Sequence, residues 1–118
     1  MLHTFCHVEI PTTDLARAKN FYESLFGWQV MPMMENYWYI TLAGEAKGQS
    51  GGLVKVDTVK DSDAQTYVEV EEVGATLKKA ESLGAKTIDE KRALPNDMGF
   101  IGMFQTDDGF KLGLFSTK

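Results

Sequence analysis

The chain has 118 residues, 43% of them hydrophobic and 25% charged, with a formal net charge of −5. That length allows one domain, or two very small halves sharing a core, and that composition excludes a disordered or low-complexity chain. Its Lys and Arg residues are dispersed, the densest pairs being Lys78-Lys79 and Lys91-Arg92, so the basic stripe that nucleic acid or an anionic membrane surface requires is missing.

No apolar run approaches the roughly 20 residues of a spanning helix. The opening Met1-Leu2-His3-Thr4-Phe5-Cys6 has neither the basic segment nor the long apolar stretch of a secretory signal. Cys6 is the single cysteine, so no intrachain disulfide forms, and a reducing cytoplasm is the expected compartment.

Residues 2–10 alternate as a strand, with Phe5, His7 and Glu9 on one side and Cys6, Val8 and Ile10 on the other. This parity makes Cys6 a buried, inert thiol. Pro11-Thr12-Thr13-Asp14 ends the strand and offers helix caps. The spacing of Leu15, Ala18, Tyr22, Leu25 and Phe26 predicts a helix over residues 14–25, with Gly27 in the left-handed position after it. Three β-type runs follow. Residues 28–33 contain Pro32, the mark of an edge or a strand end; residues 37–42 are aromatic and β-branched; residues 52–56 close the set. In the middle run Trp38, Ile40 and Leu42 share the apolar parity expected to face a helix, and Tyr37, Tyr39 and Thr41 share the other. Residues 44–51 read as a glycine-rich loop, Gly51-Gly52 as a tight turn or bulge, and residues 57–64 as a polar linker.

The pattern then restarts. Residues 66–70 are a strand, and Glu71-Glu72 suit the positive end of a helix whose stripe is Val73, Leu77, Ala80 and Leu83, closed by Gly84. Residues 87–94, 100–106 and 110–115 are strand-like, the last two joined by the hairpin signal Asp107-Asp108-Gly109. Between them Pro95-Asn96-Asp97-Met98-Gly99 is a turn-rich loop, expected over the mouth of a cleft. Strand, helix and three strands are therefore written twice, and Val8-Glu9-Ile10 recurs as Val68-Glu69-Val70. One helix cannot cover both faces of a small sheet, so two such units are expected to pair and leave a concave face between their sheets. A single continuous sheet without internal symmetry is the competing arrangement.

The run His7-Val8-Glu9-Ile10-Pro11-Thr12-Thr13-Asp14-Leu15-Ala16-Arg17-Ala18-Lys19-Asn20-Phe21-Tyr22-Glu23-Ser24-Leu25-Phe26-Gly27-Trp28 resembles the opening of the vicinal oxygen chelate superfamily, which includes glyoxalase I, bleomycin-resistance proteins and extradiol dioxygenases. Asp107-Asp108-Gly109-Phe110-Lys111-Leu112-Gly113-Leu114 is similar to that family's closing hairpin. The resemblance implies an α+β fold: one glyoxalase-like domain of two βαβββ modules, about 1–57 and 64–118, paired into an incomplete barrel around a cleft. It also implies a homodimer, with modules pairing within one chain or exchanged between chains. In metal-dependent members three or four His, Glu or Gln side chains from four strands hold one divalent ion, which polarises neighbouring oxygens of the substrate.

His7 matches the first of those ligand positions. The second falls in Gly52-Leu53-Val54-Lys55-Val56, which offers no donor; the third is Gln65 or Tyr67, depending on the alignment; the fourth is Gly113, where metal-dependent members carry Glu. Two weak ligands do not make a resident site, so no metal is expected unless Glu9 and Glu69 substitute. The resemblance then implies a glyoxalase/bleomycin-resistance-like protein that binds a small, partly apolar molecule through His7, Glu9, Tyr39, Gln65, Tyr67 and Glu69. Tyr39 and Tyr67 serve as amphipathic walls, and Glu9 and Glu69 are the candidates for proton abstraction beside a carbonyl. The alternative is a metal-dependent lyase or dioxygenase of the glyoxalase I type using His7, and a third reading is an interaction module with a vestigial cleft. His7 reads equally as a strand histidine bonded to a backbone carbonyl. The methionines are expected to fill a core rather than line a permissive pocket. No Ser-His-Asp set, P-loop or dinucleotide fingerprint is supported.

Overall fold

β1 (His7–Thr12) and α1 (Leu15–Phe26) open the first unit of the chain, and β2 (Gln29–Met34), β3 (Tyr37–Thr41) and β4 (Ser50–Lys55) complete it. These elements come from a computed structural model of the protein, which describes residue 3, residues 5–42 and residues 49–118. The chain divides into two compact units, Met1–Val59 and Lys60–Lys118. The first sheet has the order β1-β4-β3-β2, with β1 parallel to β4 and the other pairs antiparallel.

Asp14 caps α1 by accepting from the Arg17 N–H at 3.1 Å, and Gly27 ends it in the left-handed region at φ 72°. The buried stripe of Leu15, Ala18, Phe21, Tyr22 and Leu25 covers the sheet face that carries Ile10, Val30, Ile40 and Leu53. Burying each large member of that set is worth about 1.5–3 kcal/mol. Glu23 ties the helix to the edge strand. Its carboxylate accepts from Lys19 Nζ at 2.7 Å and from the Val30 N–H at 2.9 Å, and both contacts hold its pKa below the usual carboxylate range.

The first strand differs from expectation at both ends. It begins at His7 and runs through Pro11. The Cys6 carbonyl accepts from Ser50 of β4 and the Thr12 carbonyl from Val56 just beyond it, so even-numbered residues turn their backbone groups inward. The imide nitrogen of Pro11 therefore lies on the free edge, where no donor is needed. Cys6 is exposed rather than buried, and Val8 is 38% exposed. The reason is that β1 is the sheet's edge, while α1 packs on β2 and β4. The methionines are a second correction: Met31, Met33, Met34 and Met98 are all more than half exposed, the first three because β2 is the opposite edge. The prolyl break does fall at an edge, with a register irregularity between Pro32 and Met34. A third correction concerns Gly51-Gly52, which lies within β4 rather than at a turn. Most of the expected 44–51 loop, together with Met1, Leu2 and Thr4, lies outside the described residues.

The second unit repeats the plan. β5 (Tyr67–Glu69), α2 (Val73–Ser82), β6 (Lys86–Ala93), β7 (Phe100–Gln105) and β8 (Lys111–Ser116) form a helix on a sheet of order β5-β8-β7-β6, with β5 parallel to β8. Strand order and polarity match those of the first sheet, and the single continuous sheet is ruled out. Both sheets are open. Glu72 caps α2 with both carboxylate oxygens, on the Gly74 N–H at 2.6 Å and the Ala75 N–H at 3.0 Å. Val73, Leu77 and Ala80 are buried, with Phe104, Leu112 and Leu114 on the sheet below. The Pro95–Asp97 segment is a short 3-10 turn in which Asn96 and Asp97 take positive φ.

Candidate functional site

In the first sheet the face away from α1 is set by strand register. His7 stands opposite Ser50, Glu9 opposite Gly52, and Gly52 in turn opposite Tyr39, which pairs with Met31. Residues of one parity along adjacent strands share a face, so these side chains line one surface. Gly52 is the gap in it. A Cβ built there would collide with the hydroxyl end of Tyr37, whose Cε2 lies 2.6 Å from that point. With no side chain at 52, the Tyr37 ring lies across the strand towards His7. The two rings are nearly parallel, at 17° with centroids 6.5 Å apart.

The result is a hydrogen-bonded run of three polar side chains with a carboxylate beside it. Ser50 Oγ is 2.8 Å from His7 Nδ1, and His7 Nε2 is 2.8 Å from the Tyr37 hydroxyl. Glu9 lies beside them, its Oε2 3.6 Å from His7 Nε2. Burial is the main cause raising the Tyr37 phenol's pKa above its ordinary value, reinforced by the negative charge and acceptor oxygens of Glu9 and by the neighbouring Tyr39. His7 therefore bonds to two side-chain hydroxyls and not to a backbone carbonyl. Ser50 meets the imidazole, yet its own N–H bonds to the Cys6 carbonyl at 2.9 Å, which leaves no oxyanion-binding donor at that serine.

Of the residues singled out from sequence, His7, Glu9 and Tyr39 come together on this face. Gln65, Tyr67 and Glu69 belong to the second unit. Gln65 precedes β5, and its amide donates to the Thr66 carbonyl at 2.9 Å and the Lys111 carbonyl at 3.4 Å. Tyr67 opens β5 opposite Gly113, the repeat of His7 opposite Ser50, and it is 48% exposed. A Cβ on Gly113 would lie 2.6 Å from Tyr67 Cε2, so this ring also lies over a glycine of the neighbouring strand. Glu69 is exposed on the same strand, opposite Phe115. Ser50 is the member that sequence reasoning passes over, and that reasoning groups Tyr37 with Tyr39 on the cleft-facing parity without naming it as a contact. Tyr37 shares parity with Tyr39, and Ser50 shares parity with Gly52 once β4 is extended by one pair.

A repeated βαβββ unit with a polar array on the open face of its first sheet defines a glyoxalase-type α+β protein. The chain belongs to the Glyoxalase/Bleomycin resistance protein/Dioxygenase superfamily, whose family model matches residues 4–114. It is 29% identical over 109 residues to a glyoxylase-like domain-containing protein of Didymella fabae, covering 86% of this chain and 84% of that one. Among solved structures it is similar to the fosfomycin resistance protein FosX of Listeria monocytogenes, with TM-score 0.78, 14% identity, and 98% and 94% of the two chains covered. A glyoxalase-related enzyme from Fulvimarina pelagi matches at TM-score 0.75 and 16% identity, over 98% and 88% of the chains. No helix among the described residues is long and apolar enough to cross a membrane.

The metal-dependent members raise the question of a divalent ion, and the donors present do not fit one. Of the ligand positions named from the sequence, His7 offers an imidazole, residues 52–56 no donor, Gln65 an amide or Tyr67 a hydroxyl, and Gly113 no side chain, while Ser50, which stands opposite His7, adds one hydroxyl. Both ring nitrogens of His7 are already hydrogen-bonded. No group of three or more His, Cys, Asp or Glu gathers among the described residues.

Proposed function

We propose that this superfamily member binds a small, partly apolar molecule on the open face of its first sheet, without a resident catalytic metal. The hydrogen-bonded run Ser50–His7–Tyr37, with the Glu9 carboxylate 3.6 Å from His7, carries this reading. It is a preorganised polar group on rigid strands, flanked by Tyr39 and the exposed Met31, and binding sites characteristically set a few fixed polar groups among aromatic and apolar walls. Having His7 held between two neutral hydroxyls supports a positioning role rather than metal ligation. The homodimer and the reducing cytoplasm expected from the sequence belong to this reading, and the exposed, unpaired thiol of Cys6 is compatible with the latter.

Two measurements test it. The first screens small aromatic fragments by NMR against the wild type, His7→Ala and Tyr39→Ala. Hits that shift Tyr39, Met31 and His7 signals and weaken in both variants are the expected result; hits indifferent to both variants overturn the reading. The second follows the melting temperature of chelator-stripped protein titrated with nickel, cobalt, zinc, manganese and, anaerobically, iron(II). A specific site at 100 times Kd would add about 2.7 kcal/mol, roughly 10 °C for a domain near this size. No such shift is expected. A shift abolished by His7→Ala would restore the metal-dependent alternative.

A further inference from the structure

We infer that Lys19 and Glu23 of α1 guard the free edge of β2, holding the backbone groups through which a second copy of this chain would otherwise add its own β2. The inference is independent of the binding reading and concerns the edge of the first sheet farthest from His7.

β2 is the kind of strand that recruits copies of itself. It ends the sheet, carries no charge in Gln29-Val30-Met31-Pro32-Met33-Met34, and leaves all three methionines more than half exposed. Uncharged apolar edges template strand addition, and proteins blunt them with charged side chains, proline or bulges. β6, at the corresponding end of the second sheet, is protected by its own sequence: Lys86, Asp89, Glu90, Lys91 and Arg92 are five of its eight residues. Within β2 there are only Pro32 and the register irregularity that follows it.

The missing charges come from the helix. The Val30 N–H donates to Glu23 Oε2 at 2.9 Å, and the Val30 carbonyl accepts from Lys19 Nζ at 3.0 Å, so the backbone groups of Val30 face away from β3. Alternate residues of a strand turn their backbone groups to the same side, and the next outward position is therefore Pro32, which has no N–H. Val30 holds the one outward donor in the regular part of this edge, and Glu23 occupies it. Two copies meeting antiparallel about a two-fold at Val30 would exchange two bonds, each Val30 N–H going to the carbonyl of the other. Both of those groups are already taken. A register shifted towards Pro32 gains nothing, because it still draws its donor from Val30. Lys19 and Glu23 also pair with each other at 2.7 Å, one turn apart on α1, which closes the clip on itself.

Lys19→Ala/Glu23→Ala releases both Val30 groups, and alanine favours the helix at both positions. Adding Pro32→Val supplies a second outward N–H. Sedimentation velocity over a concentration series, with amide hydrogen exchange at Val30, compares the wild type, this triple variant, and the triple variant carrying Met33→Lys, which puts a charge on the edge. The wild-type Val30 exchange rate should not depend on concentration. The triple variant should reach about twice the wild-type mass at the same concentration, and its Val30 amide should exchange quickly when dilute and slowly when concentrated. Met33→Lys should restore the wild-type mass. A triple variant that keeps the wild-type mass at every concentration overturns the inference. So does association that survives Met33→Lys or leaves Val30 unprotected, since the contact then lies elsewhere. Pro32→Val alone should keep the wild-type mass; if it associates as the triple variant does, the proline is the guard and the clip is not. Circular dichroism of Lys19→Ala/Glu23→Ala completes the test: if that variant does not fold, the pair serves to hold α1 on β2, and the inference falls.

Discussion

The ring of Tyr37 occupies the space that a side chain at Gly52 would need, and that displacement brings its hydroxyl within 2.8 Å of His7. β3 and β4 are neighbours, and a larger residue at 52 would push the phenol off the strand. The glycine is thus a precondition of the polar array, although it makes no polar contact there. The second unit has a similar pairing at Tyr67 and Gly113, so each sheet lays a tyrosine over a glycine on its open face.

The adjacent glycines of β4 should respond differently to the same added methyl group. In Gly52→Ala the atoms in the way are the free end of a side chain, and Tyr37 can swing towards solvent. The sheet should survive while the His7–Tyr37 hydrogen bond is lost, with ligand affinity falling alongside. In Gly51→Ala the new Cβ would lie 2.9 Å from the Val8 carbonyl, a backbone atom fixed by the parallel pairing of β1 and β4. Overpacking of that kind costs about 1–3 kcal/mol. Urea denaturation should therefore rank Gly51→Ala below Gly52→Ala in stability. Imidazole NMR should show a changed His7 environment in Gly52→Ala. The opposite ranking would mean that Tyr37 is locked in place and that the array is part of the core.

What could be read in the sequence was what local chemistry determines. The cap at Asp14, the left-handed Gly27, the edge-marking Pro32 and the hairpin at Asp107-Asp108-Gly109 each act within a few residues, and the repeat follows from their order. The site was legible where parity alone sufficed, as for His7, Glu9 and Tyr39. It failed where a distant atom decides. Gly51-Gly52 reads as a turn because nothing local reveals that the Val8 carbonyl and the Tyr37 ring crowd those positions, and Ser50 was lost with them. Cys6 and the methionines were misplaced for a related reason, since parity describes faces and does not reveal which strands lie at the edges, beyond the helix's cover.

Alkaline pH should destabilise the fold through Tyr37. Burial, and then Glu9, hold its phenol above the ordinary 10.0, so the folded state disfavours the phenolate more than the unfolded chain does. A raised folded-state value contributes stability that is complete below the unfolded value and is lost as pH rises through the folded one. Near-ultraviolet titration should show one tyrosine ionising later than the others, and that component should be absent in Tyr37→Phe. Glu9→Gln should move it back towards the ordinary range. If Tyr37→Phe leaves the titration curve unchanged, the phenol is not held by these contacts.

Acid acts through the second unit. The Lys91 ammonium, and then the Gly74 and Ala75 N–H groups, lower the Glu72 carboxyl to about 2. A depressed folded-state value gives stability that is present above the ordinary carboxylate range and is lost as pH falls through the folded value. The stability gap between the wild type and Glu72→Gln should therefore be open at neutral pH, narrow below about 4.5, and close near 2. Lys91→Met removes the largest cause and should move that loss to higher pH. A gap unchanged across the whole range would mean that Glu72 acts as a neutral cap and that its charge contributes nothing.

Gly113 is where the metal-dependent relatives are expected to carry Glu, and the ring of Tyr67 is the obstacle to any side chain there. This contact is separable by a double-mutant cycle. Gly113→Ala alone should cost about 1–3 kcal/mol, because β5 and β8 are paired at this very position and the ring must move for the methyl group to fit. In a Tyr67→Ala background the same change meets open space and should cost far less, so the two substitutions should couple strongly. Tyr67→Ala alone should be mild, since the ring is 48% exposed and its loss removes little buried area. Additive effects would show that the backbone, and not the tyrosine, excludes a side chain at 113. Strong coupling would identify Tyr67 as the residue that makes glycine necessary at 113.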